Sequence, residues 1–361
     1  MTKTSQRPSP PSDAIPPAEA SADTAAEAGA PPPDSEVGSD APPPLRAVVR
    51  TASGTVELSD MAAIRSAVAE PAARIWVDLV DAGPATVSEV AALFQLHPLI
   101  AEDIVERNQR AKIEATGRTL HVVVFALRYR GELLRSEVDL VLGERFLISS
   151  HDSDWSPMSG TVARVGVDTL LDGGPDYLLW AIVDSIVDGY LPVFDAVSDE
   201  IDTLQDDVIR RPSPWILERL FQVKRDLLEI RHAVSPQREI LNQLTTRDVG
   251  VLRPERVVYF RDIYDHLIRF TDELDTFREL VSTALDAYLS TVNNQLSTIM
   301  KRLTAITAIL AGIGAVAGIF GMSEATAAFD QAEGPGFWIV TVAVMLVGGA
   351  VWLYFRRIDW I

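Results

Sequence analysis

The chain contains no cysteine, which removes disulfides, thiolate nucleophiles and Cys-ligated zinc without identifying a compartment. Its soluble part has no Gly-rich phosphate loop, so the usual backbone cradle for a nucleotide is missing. Histidine is sparse: His97, His121, His151, His232 and His266 are scattered, and none shows the close pairing of a His-rich metal site. No apolar segment follows Met1, so a signal peptide is not expected and residues before Lys301 should stay in the cytosol. No nucleophile stands beside a base, and an enzyme is not expected. Basic residues are outnumbered, 32 Lys and Arg against 51 Asp and Glu, for a net charge of -19. That balance argues against a nucleic-acid surface and fits cation partners or plain solubility.

One further absence is local. No Lys or Arg occurs from residue 303 to residue 355, and the runs 303–320 and 337–355 carry no charge of either sign. At about 1.5 Å per residue each run crosses most of a hydrocarbon core of roughly 30 Å. The pair reads as a membrane hairpin. Lys301-Arg302 precedes the first run and Arg356-Arg357 follows the second, so the positive-inside rule puts both chain ends in the cytoplasm of an inner or plasma membrane protein. The loop 321–336 then faces outward.

Four regions follow. Residues 1–45, with Pro31-Pro32-Pro33 and Pro42-Pro43-Pro44, lack the apolar residues that offset ordering entropy and read as a disordered tail. Residues 46–175 read as a cytoplasmic α/β domain, with strands over 74–79, 121–128 and 138–148 and helices over 86–96 and 99–105. Residues 176–302 read as a helical stalk. In it Tyr190, Val193, Val197, Ile201, Leu204 and Val208 form an apolar stripe, and Asp184, Asp188, Asp195, Asp199, Asp202 and Asp206 form a solvated acidic face. A helix over 214–244 is expected to bend or break near Pro236. From Glu255 onward there is no Pro, and no Gly before Gly312, which predicts one helix of roughly 65 residues, about 100 Å, running into the membrane. Residues 303–361 are the transmembrane hairpin.

Two spans cannot enclose water. A conducting protein of this kind has to be a ring in which each chain gives one helix to the lining. Counting back from Ser323 in steps mostly of three and four gives Gly318, Gly314, Ala311, Thr307, Leu303, Met300 and Ser297 on one face. These are the pore-lining candidates; the small residues also suit close helix packing. Glu324, Asp330 and Glu333 make the outer loop acidic, which would concentrate cations at a pore mouth.

Several blocks in order carry a family resemblance: His97-Pro98-Leu99 with Glu102-Asp103-Ile104; Tyr259-Phe260-Arg261-Asp262-Ile263-Tyr264-Asp265-His266; Asp286-Ala287-Tyr288-Leu289-Ser290-Thr291-Val292-Asn293-Asn294; Met300-Lys301-Arg302-Leu303-Thr304; and Ala317-Gly318-Ile319-Phe320-Gly321-Met322. In these the chain resembles the CorA family of divalent-cation channels. The resemblance implies a funnel-shaped homopentamer with the stalk helix and first span lining the pore. It also implies Gly321, Met322 and Ser323 as the outer selectivity ring, and no resident cofactor, with Mg²⁺ as both substrate and regulatory ligand. It carries the regulatory Mg²⁺ role onto Asp103 and Asp262, with Glu102 nearby and Asp286 as a further acid. The chain departs from the family at Ser323, where the motif has Asn, at Ala311-Gly312, where a Met-Pro pair is common, and at Gly314, where a hydroxyl residue is frequent.

Three functions stay open. The first is a Mg²⁺ channel that also admits Co²⁺ or Ni²⁺, closed by cytosolic Mg²⁺. The second is a channel altered by Ser323 toward Zn²⁺ or a less selective cation flux. The third is a non-conducting pentameric scaffold or Mg²⁺ sensor.

Overall fold

A computed structural model of the chain describes residues 44–246, 250–321 and 336–357. The expected tail and most of the outer loop, including Met322, Ser323, Glu324, Asp330 and Glu333, lie outside them.

The first half is a seven-stranded sheet between two helical layers. Its strands are β1 (Leu45–Thr51), β2 (Gly54–Leu58), β3 (Arg74–Val80), β4 (Lys112–Thr116), β5 (Thr119–Tyr129), β6 (Leu133–Leu142) and β7 (Phe146–His151), in the order β2-β1-β3-β7-β6-β5-β4. Only β3 and β7 run parallel; the other neighbours are antiparallel. On β3, Ile75, Val77 and Leu79 pack on one face with α1 (Met61–Val68), α2 (Pro84–Phe94) and α3 (Pro98–Glu106), while Trp76 packs on the other. Burial on both faces explains the largely apolar run in this central strand, interrupted only by Asp78, which is itself buried. Local chemistry starts the helices: Asp60 caps α1 by accepting from the Ala63 amide at 3.1 Å, and Pro84 and Pro98 open α2 and α3.

The run 138–148, expected as one strand, is a hairpin. Residues 143–145 turn between β6 and β7, the Gly143 amide donating to Phe146 O at 2.8 Å. A Cβ on Gly143 would lie 2.2 Å from the Phe146 ring, so this tight turn requires glycine. The first hairpin, β1 and β2, adds two strands ahead of those the sequence pattern marks, and it begins at Leu45, inside the expected tail.

The opposite layer is helical: α4 (Gly160–Val165), α5 (Val167–Gly173), α6 (Pro175–Asp188), α7 (Leu191–Arg210), α8 (Pro214–Thr246), a 3₁₀ turn at Pro254–Arg256, α9 (Val257–Gly321) and α10 (Gly336–Arg357). The α8 helix continues through Pro236, and the Gln237 amide next to it donates to Ala233 O at 3.0 Å and to the Tyr190 hydroxyl at 2.6 Å. The acidic face of the stalk also differs from expectation. Asp195, Asp199, Asp202 and Asp206 are exposed, but Asp184 is buried, accepting from the Thr161 hydroxyl, and burial pushes its carboxyl upward.

Helix α9 has 65 residues, about 98 Å of rise. Its lower half is core: Phe260, Ile263, Leu267, Phe270, Leu274, Phe277, Val281, Ala284 and Tyr288 are buried at alternating spacings of three and four. That 3.5-residue period keeps one stripe against α7 and α8. Its base is anchored where Arg253 Nε donates to Asp176 Oδ2 at 2.8 Å and Arg256 lies 4.1 Å over the Tyr177 ring. Gly174, at φ +112°, leaves the space that the Arg253 guanidinium fills.

Two measurements test this packing. Phe270 stacks against Phe194 with ring centroids 4.8 Å apart, so Phe270→Ala should destabilise the soluble part by about 3–5 kcal/mol in denaturant unfolding. Burial, then the neighbouring Asp139, pushes Glu137 from 4.5 up to about 7. Between those values the folded chain holds a proton that the unfolded chain has released, so stability should fall as pH rises through that window. Glu137→Gln should flatten the fall in melting temperature measured from pH 4.5 to 7.

Candidate ion pathway and cation-binding residues

Above Tyr288, α9 loses its neighbours within the chain. Leu289, Val292, Leu296, Ile299, Leu303, Ile306, Leu310 and Ile313 are all exposed, again at alternating spacings of three and four. The most apolar window of the helix is only 6% buried. By contrast, the segment Pro175–Arg210, apolar and long enough to cross a bilayer, is 67% buried inside the protein and is core. A bare apolar rod of this length is not stable in water and needs lipid or copies of itself as cover.

Part of the cover is α10. A small apolar cleft of about 30 Å³ is lined by Ala308, Ile309, Gly312, Ile313 and Val316 of α9 and by Val344, Val347, Gly348 and Val351 of α10. Small residues allow the two backbones this approach, as in membrane helix pairs. Arg356 sits 5.2 Å over the Trp352 ring, an aromatic and basic pairing suited to a membrane boundary.

The pore-lining candidates lie elsewhere on α9. At about 100° per residue, Ser297, Met300, Leu303, Thr307, Ala311, Gly314 and Gly318 centre roughly 160° from the residues that meet α10. All seven are exposed in the single chain. The Thr307 hydroxyl donates to Leu303 O at 2.8 Å, which satisfies its proton within the helix and leaves oxygen lone pairs free. Gly321 is the last residue of α9.

The four regulatory candidates do not meet within one chain. Glu102 is exposed on α3, and Asp262 and Asp286 are exposed on α9, 24 positions apart and so separated by about 36 Å. Asp103 is half-buried on α3 and pairs with the Lys112 ammonium at 2.6 Å. Lys112 reaches Glu114 at 3.5 Å as well. Burial works to lower the Lys112 pKa, but the two carboxylates outweigh it and the net shift is upward.

Beside this pair lies a constellation that the sequence concealed. His121 of β5 is fully buried and faces Glu114 across the β4–β5 ladder. Ligand atoms of Asp103, Glu114 and His121 lie within 4.8 Å of one another, the one such group found among the described residues. His121 Nε2 is 2.8 Å from Asp139 Oδ1, itself buried, and His121 Nδ1 has no hydrogen-bond partner, with Asp103 Oδ2 at 3.9 Å. Nothing in the spacing of His121 from Asp103, Glu114 and Asp139 signals this; only strand register and the placement of α3 bring them together.

The sequence pattern of the family described as CorA-like Mg²⁺ transporter protein matches residues 72–357. The chain is 32% identical over 281 residues to the cobalt/magnesium transport protein CorA of Thermotoga maritima, covering 76% of this chain and 80% of that one. It is 26% identical over 249 residues to the putative metal ion transporter YfjQ of Bacillus subtilis, covering 69% and 78%. In structure it resembles the complete CorA magnesium transporter of Methanocaldococcus jannaschii, with a TM-score of 0.72 at 19% identity over 88% of this chain and 98% of that one. An α/β domain, an unbroken stalk helix and an apolar helical hairpin thus share one frame with membrane transporters rather than enzymes, and this chain belongs to the CorA-like Mg²⁺ transporter family.

Proposed function

We propose that five copies of the chain form a channel that admits Mg²⁺, and with it Co²⁺ or Ni²⁺, into the cytoplasm. The observation that carries this is the division of α9 into two opposed faces. One is held by α10, and the other, from Ser297 to Gly318, is uncharged and uncovered, with only small side chains above Leu303. The exposed Leu289, Val292, Leu296, Ile299, Ile306 and Leu310 beside it supply the contact between neighbouring copies, at the heptad spacing that helix bundles use. A ring built this way puts α10 outside against lipid and leaves an axial path with no fixed positive charge to repel a cation.

Both chain ends face the cytoplasm, since Lys301-Arg302 precedes the first span and Arg356-Arg357 follows the second. A divalent ion moving inward then gains about 4.6 kcal/mol per 100 mV, more than a thousandfold in concentration ratio, so the channel needs no other energy source. Mg²⁺ gives up its inner water reluctantly, and neutral oxygens that bond to that water suit it. The acidic loop carrying Glu324, Asp330 and Glu333 raises the local cation concentration at the outer mouth.

Gating follows from the acids. By the family resemblance, Asp103 and Glu102 of one copy meet Asp262 of the next, and Mg²⁺ between them offsets their repulsion and holds the ring closed. Loss of cytosolic Mg²⁺ loosens it.

A second reading keeps the channel and changes the ion. Ser323 offers a short hydroxyl where the family motif has a carboxamide, so the outer ring is wider and weaker, toward Zn²⁺ or a less selective flux.

Reconstituted protein should pass Mg²⁺ in a liposome flux assay, and Ala311→Trp should abolish the flux; robust incorporation without Mg²⁺ flux would sink the channel reading. Ser323→Asn should sharpen preference for Mg²⁺ over Zn²⁺ in the same assay, and an unchanged preference would remove Ser323 as a selector. Amine crosslinking of the purified protein in detergent should yield a ladder ending at five; a ladder ending elsewhere excludes the pentamer.

A further inference from the structure

His121 is an expensive residue to bury in the way this chain buries it. The ring is fully enclosed, one nitrogen is bonded to a carboxylate, and the other faces two acids without a hydrogen bond. A buried nitrogen left without a partner costs roughly 1–3 kcal/mol, so the arrangement calls for a ligand.

The tautomer supplies the direction. Asp139 Oδ1 at 2.8 Å accepts the Nε2 proton, which leaves the Nδ1 lone pair aimed toward Asp103 and Glu114. A carboxylate behind one ring nitrogen and an open lone pair on the other is how metal-binding histidines are oriented and made more basic. Asp139 Oδ2 is itself buried and unpartnered, so this carboxylate keeps its charge focused on the ring. Glu114 stands opposite His121 in the β4–β5 ladder, and Asp103 closes the group from α3.

We propose that His121 Nδ1, Asp103 and Glu114 form, within each chain, a binding site for a divalent transition-metal ion of the Zn²⁺ or Co²⁺ class, with Lys112 as its displaceable plug. One imidazole and two carboxylates suit these borderline ions and disfavour Mg²⁺, which prefers an all-oxygen octahedral shell. Bonds of about 2.1 Å place tetrahedral ligands about 3.4 Å apart, so the group, within 4.8 Å, must contract by about an ångström, with water completing the shell. The Lys112 ammonium now bridges the same two carboxylates at 2.6 and 3.5 Å. It supplies the positive charge the pair needs when no ion is bound, and its half-exposed stem lets it swing outward. An ion here also engages Asp103. If the regulatory reading above holds, the site lets a transition ion compete with Mg²⁺ for control of the channel.

The test is Co²⁺ binding to the full-length protein in detergent with Mg²⁺ in large excess, followed by calorimetry and by the visible absorption of the bound ion. Glu114→Gln, at a half-exposed side chain, should weaken binding about tenfold or more. Lys112→Met should tighten it about tenfold, because a fixed competitor is gone. His121→Gln should remove the absorption of nitrogen-ligated Co²⁺ if the variant folds. The rival arrangement, a protonated His121 bridging Asp139 and Asp103 with no metal, predicts no change from Glu114→Gln and weaker or equal binding in Lys112→Met. Either of those results overturns the proposal. The readout is binding, so a protein that passes no Mg²⁺ would test the site equally well.

Discussion

Everything in this chain depends on α9 being one unbroken helix with two different solvents. Below Tyr288 it is the central rod of a water-soluble core; above it the same helix is largely exposed and apolar, and within the chain only α10 covers part of it. No Pro interrupts it and no Gly occurs before Gly312, so no weak point separates the halves. The base is anchored by Arg253 on Asp176 and Arg256 on Tyr177, which ties the orientation of the rod to the α/β domain. Whatever tilts that domain tilts the membrane end.

The long helix and the membrane hairpin were legible because each rests on an absence that no tertiary contact can mimic: no helix breaker, no charge. Strands such as β3 and β5 were legible to within a residue or two because burial on both faces writes a mostly apolar run, broken only by Asp78 in β3 and by His121 near the start of β5. The β6–β7 hairpin was not, since Gly143 sits between two apolar runs whose patterns join smoothly, and its need for glycine comes from the Phe146 ring three residues on. Asp184 looked like its exposed neighbours until α4 placed Thr161 over it. Helix continuity through Pro236 was likewise not legible, because a lone proline in an otherwise helical pattern reads as a break.

The cation-binding residues divide the same way. Placement of Ser297 to Gly318 on one face is helical arithmetic, and α10 leaves that face of the single chain uncovered. His121 is the reverse case. Its neighbours come from α3, β4 and β6, far apart along the chain, and an isolated His in a run of valines looks like core.

The segment Pro175–Arg210 has a consequence for biosynthesis. It is as greasy as a true span, yet two thirds of that window is inside the protein. It leaves the ribosome ahead of residue 303 by 93 residues, roughly 5–20 s at ordinary elongation rates. β5 is already made by then and α8 follows within that interval, so the partners that bury these helices are available before residue 303 emerges.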